Sequence, residues 1–435
     1  MKTKLYKRIL ILLFLNFQTV FLFAQKNTAE YSNDVALKWF DLELLLIRDT
    51  PGFSPPVAAR AIGYTGLSLY ESVVNGMPEY RSLTGILNEF KNVPKIDKSK
   101  AYNWEIAANV AMAQTISYFF PNTSKDYLAR IENQKLFLID KYKGGSDVDV
   151  VKRSIKYGED VARAIFEYSK SDGGHEAYRN TNHQSYTSPV GSCYWIPLPD
   201  QVALLPQWGH NRTFVAGSAE HSIPEPPKCE NGLTSIFYAQ ALEVYTVGKN
   251  LTAEQKEIAT FWSDDAQKTF TPPGHGISIT NQIVKKEKIN LAKAAEIFCK
   301  IGIAESDAFV SCWKCKFMHN VVRPISYIRT TIDGKWNTFL TTPPFPEYTS
   351  GHASVSGAVA QVLSDFFGFN YAFTDDSHKD RGLKARSFES FFDFANEAAI
   401  SRLYGGIHYR NSNEQGLKNG KRIGKVVCAL PIKTS

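Results

Sequence analysis

The chain has 435 residues, 43% of them apolar and 13% aromatic, which is enough to bury a large core and lies outside the composition of disordered chains. Its formal charge is +7, from 50 Lys and Arg against 43 Asp and Glu, too even a balance to point to nucleic acid or to a membrane surface as partner. Length alone suggests two or three domains, but no polar linker divides the chain, so residues 25–435 are expected to form a single helical unit.

Lys2, Lys4, Lys7 and Arg8 precede an apolar run from Ile9 to Phe23, and Ala24 and Gln25 follow. That grammar is a secretory signal peptide over 1–24. The run is short for a spanning helix, and Asn16, Gln18 and Thr19 interrupt it. Loss of those four basic residues takes +7 to +3, and the mature chain is expected to be periplasmic or secreted, with no membrane association.

Apolar residues then recur at helical spacing over 33–48, 57–75, 101–119, 124–142, 148–169, 232–246, 252–265, 288–310, 353–367 and 388–403. Asn122 to Asp126 supplies one helix start, and Thr252-Ala253-Glu254-Gln255 has the capping-box pattern. Alternating strand patterns are scarce. The expected class is all-α, a large bundle of two packed helical halves. Between the halves, 172–231 is rich in Gly, Pro, Ser, Thr, Asn and aromatics; so long a stretch without periodicity is functional or covering, and it is read as an irregular excursion over the bundle.

Six cysteines are present: Cys193, Cys229, Cys299, Cys312, Cys315 and Cys428. Export permits disulfides, although pairing cannot be read from sequence. Cys312-Trp313-Lys314-Cys315 has redox or zinc-knuckle spacing, but it lacks a second pair and sits in a helical pattern. It is read as a structural disulfide or as two buried thiols.

Three segments in the last third carry the chemistry. In the first, Lys316 and Arg323 are seven apart, about 20° from one helical face, and Pro324 ends or kinks that helix. In the second, Ser350-Gly351-His352 opens a small-residue helix, offering free backbone N–H groups and a positive dipole end to an anion. In the third, Gly405 and Gly406 end the helix carrying Ser401 and Arg402 and turn His408 back toward it. Any one alone is ordinarily a solvated or structural feature.

Together, in order and interval, these segments resemble the signature of the type 2 phosphatidic acid phosphatase superfamily, which includes the vanadium-dependent haloperoxidases. Thr349 departs from the pattern, since the family usually has proline there. The resemblance implies vanadate as cofactor, with Lys316, Arg323 and Arg402 neutralising its oxygens and Ser350 and the Gly351 N–H bonding them. His408 is implied as the vanadium ligand and His352 as the acid/base. Phe261 to Asp265 also resembles a haloperoxidase segment, which makes Asp265 a candidate to orient Arg402. The implied catalytic set is therefore His352, His408, Lys316 and Asp265.

The same pocket suits a phosphatase, in which His408 would attack phosphorus and His352 protonate the leaving alcohol. Trp313 and Phe345 resemble the aromatic pair beside the halide in fungal chloroperoxidases and favour the peroxidase. Ser54 to Arg60, Tyr194 to Pro197, Pro206 to Gly209 and Thr271 to His275 add similarity to exported bacterial haloperoxidases. His275 and His319 are given structural or surface roles. The implied reactants are hydrogen peroxide, a halide (iodide first, because it is the easiest to oxidise) and a small organic halogen acceptor.

Overall fold

The structure is a computed structural model that describes residues 26–179, 186–220, 223–230 and 232–434. The signal peptide expected over 1–24 lies outside the described residues.

Among those residues, thirteen α-helices follow in order: α1 Asp34–Asp49, α2 Pro55–Val73, α3 Trp104–Phe119, α4 Lys125–Tyr142, α5 Val148–Ser169, α6 Ile236–Lys249, α7 Ala253–Phe261, α8 Thr271–Lys286, α9 Leu291–His319, α10 Pro324–Thr331, α11 Gly351–Phe367, α12 Phe391–Tyr404 and α13 Arg410–Cys428. The all-α class holds. One short hairpin joins it, β1 Phe373–Asp375 against β2 Arg386–Phe388, with Phe373 opposite Phe388. Caps start the helices where short polar side chains occur. Asn103 accepts from Ile106 N–H, Ser124 from Tyr127 N–H, and Thr252 and Gln255 close a capping box.

Three helices differ from the periodicity reading. Thr271 to His275, outside every helical stretch of the periodicity reading, begins α8, with prolines in the first turn where their missing N–H costs nothing. α13 buries Ser412, Asn413, Gly416, Asn419, Gly420 and Gly424, a face with little apolar period, and α10 is only eight residues long.

The core is built around α9, a 29-residue helix. α9 packs on α2, and α11 packs on α13 and α12. Glycine sets the closeness of both crossings. A Cβ at Gly302 would stand 2.8 Å from the Ile62 carbonyl, and one at Gly420 only 2.0 Å from the Ser354 carbonyl. The second contact presses the first turn of α11 onto the middle of α13, and the Ser350 end of α11 lies over the start of α13, where Ser350 N–H donates to the Ser412 carbonyl at 3.2 Å.

Two apolar clusters result. The larger includes Phe309, Cys312 and Trp313; the smaller includes Cys315, Val322, Tyr348 and Tyr409. The last turns of α9 lie on their seam.

The described part of 172–231 contains no α-helix, only 3₁₀ turns such as Trp208–His210. It is pinned along its length. Val322 N–H donates to the Cys193 carbonyl at 3.1 Å and Trp195 N–H to Asn320 at 2.8 Å, while Phe214 N–H donates to the buried Asp307 carboxylate at 2.7 Å. Cys193 and Cys229 form a disulfide; Cys312 and Cys315 are buried free thiols. No helix among the described residues is long and apolar enough to cross a membrane.

Candidate oxyanion site

The three cationic side chains arrive from different elements. Lys316 sits in the last turn of α9, which ends when Asn320 takes a left-handed φ of 49°. Arg323 lies beyond that break, as the residue before α10. The expected shared helical face is therefore corrected: the helix stops between them. They converge because both bond the strap that leads into Ser350. Lys316 Nζ donates to the Pro346 and Glu347 carbonyls at 2.9 and 3.0 Å, and Arg323 Nε donates to Phe345 at 2.9 Å. Arg402, in the last turn of α12, donates to the Trp262 carbonyl at 2.6 Å.

His408 follows the Gly405-Gly406 turn, where Gly406 has φ 77°. Its Nδ1 is 2.7 Å from Glu347 Oε1, and its Nε2 is 3.2 Å from Arg323 Nη1. Glu347 also accepts the Tyr409 N–H at 3.0 Å. A carboxylate on Nδ1 fixes the tautomer and makes Nε2 the acceptor, which takes the Arg323 N–H here and is the atom a ligand would meet. Burial, then the charges of Arg323, Lys316 and Arg402, hold His408 well below the usual histidine range, so the ring is neutral. Sequence reasoning missed Glu347. Its position three residues before Ser350 was the available signal.

Ser350 caps α11 by accepting from Ala353 N–H at 3.4 Å, which leaves its own O–H to donate. Gly351 is the first helical residue, so its N–H has no partner within the helix. His352 is beside it. Burial and Arg402 keep its ring neutral, and its buried Nε2 has no hydrogen-bond partner.

Gly351, His352, Arg402 and His408 open onto a cavity of about 470 Å³ whose walls include Trp313, Phe345, Phe309, Leu204 and Pro343. The Trp313 and Phe345 rings are 4.9 Å apart, and Lys316 Nζ is 5.0 Å from the Phe345 centroid. Asp265 lines the same cavity, but its carboxylate lies 3.6 Å from Lys268 and makes no hydrogen bond to Arg402. The adjacent acid, Asp264, is the larger of the two negative influences on Arg402. Asp265 thus bears on Arg402 through charge rather than a hydrogen bond, and of the two neighbouring acids Asp264 is the buried one. His319 is half-buried against the edge of Tyr348 and takes no part in this cavity.

Charge shows what the site is made for. Lys316, Arg323 and Arg402 are all buried. Burial pushes Lys316 down to about 8 and both arginines to about 10. The Glu347 carboxylate bonds His408 and the Tyr409 N–H rather than any of the three cations, and burial raises it to about 7. Arg323 Nη2, Arg402 Nε and His352 Nε2 are buried donors or acceptors without partners. So much uncompensated positive charge is costly unless an anion meets it. A multiply charged tetrahedral oxyanion fits this donor set.

Fold and site together define a helical bundle with a buried cationic oxyanion pocket flanked by two neutral histidines. Residues 296–431 match the family model for the second helical-bundle domain of vanadium chloroperoxidase. The vanadium chloroperoxidase of Curvularia inaequalis is 24% identical, over 88% of this chain and 79% of that protein. Among solved structures, the first bacterial vanadium-dependent iodoperoxidase is 35% identical with a TM-score of 0.83, covering 93% of this chain and 98% of its own. A holo-type bacterial vanadium-dependent chloroperoxidase shares the fold at 16% identity and a TM-score of 0.70, over 88% and 93% of the two chains. The chain belongs to the vanadium-dependent haloperoxidases. It takes vanadate as its cofactor and oxidises halide with hydrogen peroxide.

Proposed function

We propose that this chain is an exported iodide-oxidising haloperoxidase, with residues 25–435 acting as one unit. The observation that carries the site assignment is the convergence of three buried cations around a neutral His408 whose Nδ1 is tied to Glu347. Lys316, Arg323 and Arg402 would hold the oxygens of vanadate, with the Ser350 hydroxyl and the Gly351 N–H, and His408 Nε2 would bond vanadium. Bound there, the vanadate supplies Lewis-acid activation of hydrogen peroxide.

Overall, hydrogen peroxide, iodide and one proton give hypoiodous acid and water: the O–O bond breaks, one oxygen joins iodine, and iodide loses two electrons. His352 is the proton carrier. Its neutral ring takes a proton from peroxide at Nε2 and, once cationic, returns one to the departing oxygen. Lys316 places a positive charge beside the Trp313–Phe345 wall, which is where an incoming halide would be held. Iodide is ranked first because it is the easiest halide to oxidise and because the iodoperoxidase is the relative with 35% identity. Export is supported by the basic–apolar leader and the Cys193–Cys229 disulfide, which belongs to oxidising compartments. A small organic molecule would then accept the iodine.

The test is a paired assay on purified mature chain with and without orthovanadate, following triiodide formation beside p-nitrophenyl phosphate hydrolysis. Vanadate-dependent triiodide formation is expected. Faster turnover of bromide than of iodide would overturn the halide ranking, and vanadate-inhibited phosphatase activity without triiodide would overturn the peroxidase assignment.

A further inference from the structure

Behind His352 lies a second set of titratable side chains that the oxyanion chemistry does not use. His275, from the first turns of α8, is 2% exposed, with Nδ1 2.9 Å from Asp264 Oδ2 and Nε2 2.8 Å from Asp375 Oδ2. His378, after the first strand of the hairpin, brings Nε2 to 3.1 Å from Asp264 Oδ1. Asp375 is held in turn by the Ser377 N–H and hydroxyl at 2.9 and 2.5 Å and by Gln282 at 3.3 Å.

An imidazole with a carboxylate on each nitrogen donates from both, and only the imidazolium can do so. The two anions raise His275 to about 10, overcoming burial. Asp264 is accordingly held well below the usual carboxylate range, chiefly by the His275 charge against the penalty of burial.

This cluster reaches the oxyanion site by two physical routes. The first is contact: the His275 ring stacks on Trp262 at 4.5 Å and 23°. The Trp262 carbonyl receives Arg402 Nη1 at 2.6 Å, and the Trp262 backbone favours the cationic form of the His352 ring. Trp262 is fixed at its far end as well, because its indole N–H donates to Glu397 at 2.9 Å. The second is charge: Asp264 favours the cationic forms of both Arg402 and His352. Asp264 keeps its inward aim at a φ of 45°, a left-handed conformation that costs a non-glycine residue energy. A void of about 10 Å³ between Asp264, His275 and His352 leaves no slack for rearrangement.

We propose that His275 is a positioning residue of the oxyanion site: an imidazolium bridging Asp264 and Asp375 that sets, through Asp264 and the stacked Trp262, the placement of both Arg402 and His352. This rests on the reading of Arg402 and His352 as oxyanion-site groups. The neutral side chain of His275→Gln cannot donate to two carboxylates with the same reach. Asp264 then keeps only His378 as a partner, and Trp262 loses the imidazole it stacks on.

The experiment compares wild-type, His275→Gln and Asp375→Asn proteins as purified full mature chains. Vanadate affinity is read by equilibrium dialysis with elemental analysis, and kcat and KM for iodide and peroxide are read separately on vanadate-saturated protein. Groups that orient the residues around a metal typically change affinity or activity about 10–100-fold. The expected result for His275→Gln is a loss of that size in vanadate affinity, together with a fall in kcat at nearly constant iodide KM. Asp375→Asn, which keeps shape and one hydrogen bond, should show a smaller change in the same direction.

Folded His275→Gln with wild-type vanadate affinity and kcat would overturn the proposal. If that variant does not fold, unchanged values in Asp375→Asn would overturn it. Stoichiometric zinc in purified wild type, lost from His275→Gln, would also overturn it, because the Asp264, His275 and His378 donor atoms lie within 4.8 Å of one another and would then be a metal site rather than a proton-held clamp. Absence of vanadate binding by the wild type would instead refute the oxyanion-site reading itself.

Discussion

Glu347 Oε1 stands 2.7 Å from His408 Nδ1, and both side chains are buried. The two residues are 61 apart in sequence, and the strap that carries the first also supplies the carbonyls that hold Lys316. One short segment therefore sets the histidine tautomer and the lysine position together. Glu347→Gln removes the charge and keeps the shape. It is expected to lower vanadate affinity about 10-fold or more, measured by dialysis and elemental analysis. Wild-type affinity in the variant would show that the hydrogen bond, rather than the charge, suffices.

The two active-site histidines should separate by phenotype. His408→Ala removes the nitrogen assigned to vanadium, so both vanadate affinity and triiodide formation should collapse. His352→Ala should leave vanadate bound and slow turnover by about 10²–10⁴-fold, the usual worth of a positioned acid/base. Loss of vanadate binding in His352→Ala would make His352 a ligand instead.

Burial of Glu43 predicts a pH dependence of stability. Glu43 accepts the Thr65 hydroxyl at 2.9 Å, its other oxygen has no partner, and burial raises its carboxyl to about 8. Between about 4.5 and 8 the folded chain keeps a proton that the unfolded chain releases, so this group's contribution to stability falls as pH rises through that window. Below about 4.5 both states are protonated, and the contribution is at its most favourable. Glu43→Gln is neutral throughout and is expected to flatten the fall of Tm from pH 5 to pH 8. An identical slope in the variant would mean that another group carries it.

The Cys193–Cys229 disulfide closes a loop of sequence separation 36 in the irregular excursion. Loop-closure entropy assigns such a cross-link about 3–4 kcal/mol. The loop includes Leu204, whose carbonyl accepts the Trp313 indole N–H at 3.2 Å. The double variant Cys193→Ser, Cys229→Ser should lose Tm and, at temperatures near its midpoint, lose triiodide formation with it. Equal midpoints with and without dithiothreitol in the wild type would show that the cross-link adds nothing.

Helix content was legible in the sequence because apolar periodicity and caps are local properties. The capping box at Thr252 and Gln255, the small-residue helix opening at Ser350 and the glycine stop after Tyr404 all reappear in the structure. α8 was not legible, because Thr271-Pro272-Pro273-Gly274 reads as a turn until the prolines are seen to occupy a first helical turn.

Family and cofactor were also contained in the sequence, since three short segments at set intervals name the residues that an oxyanion needs. What the tertiary structure decided is which groups stand behind them. Glu347 on His408, Asp264 rather than Asp265 as the buried acid, and the bridge of His275 between Asp264 and Asp375 all join residues 11 to 100 positions apart. No local pattern encodes such pairs. They follow from helices brought together by Gly302 and Gly420 and from the burial that forces each charged or polar side chain to find a partner.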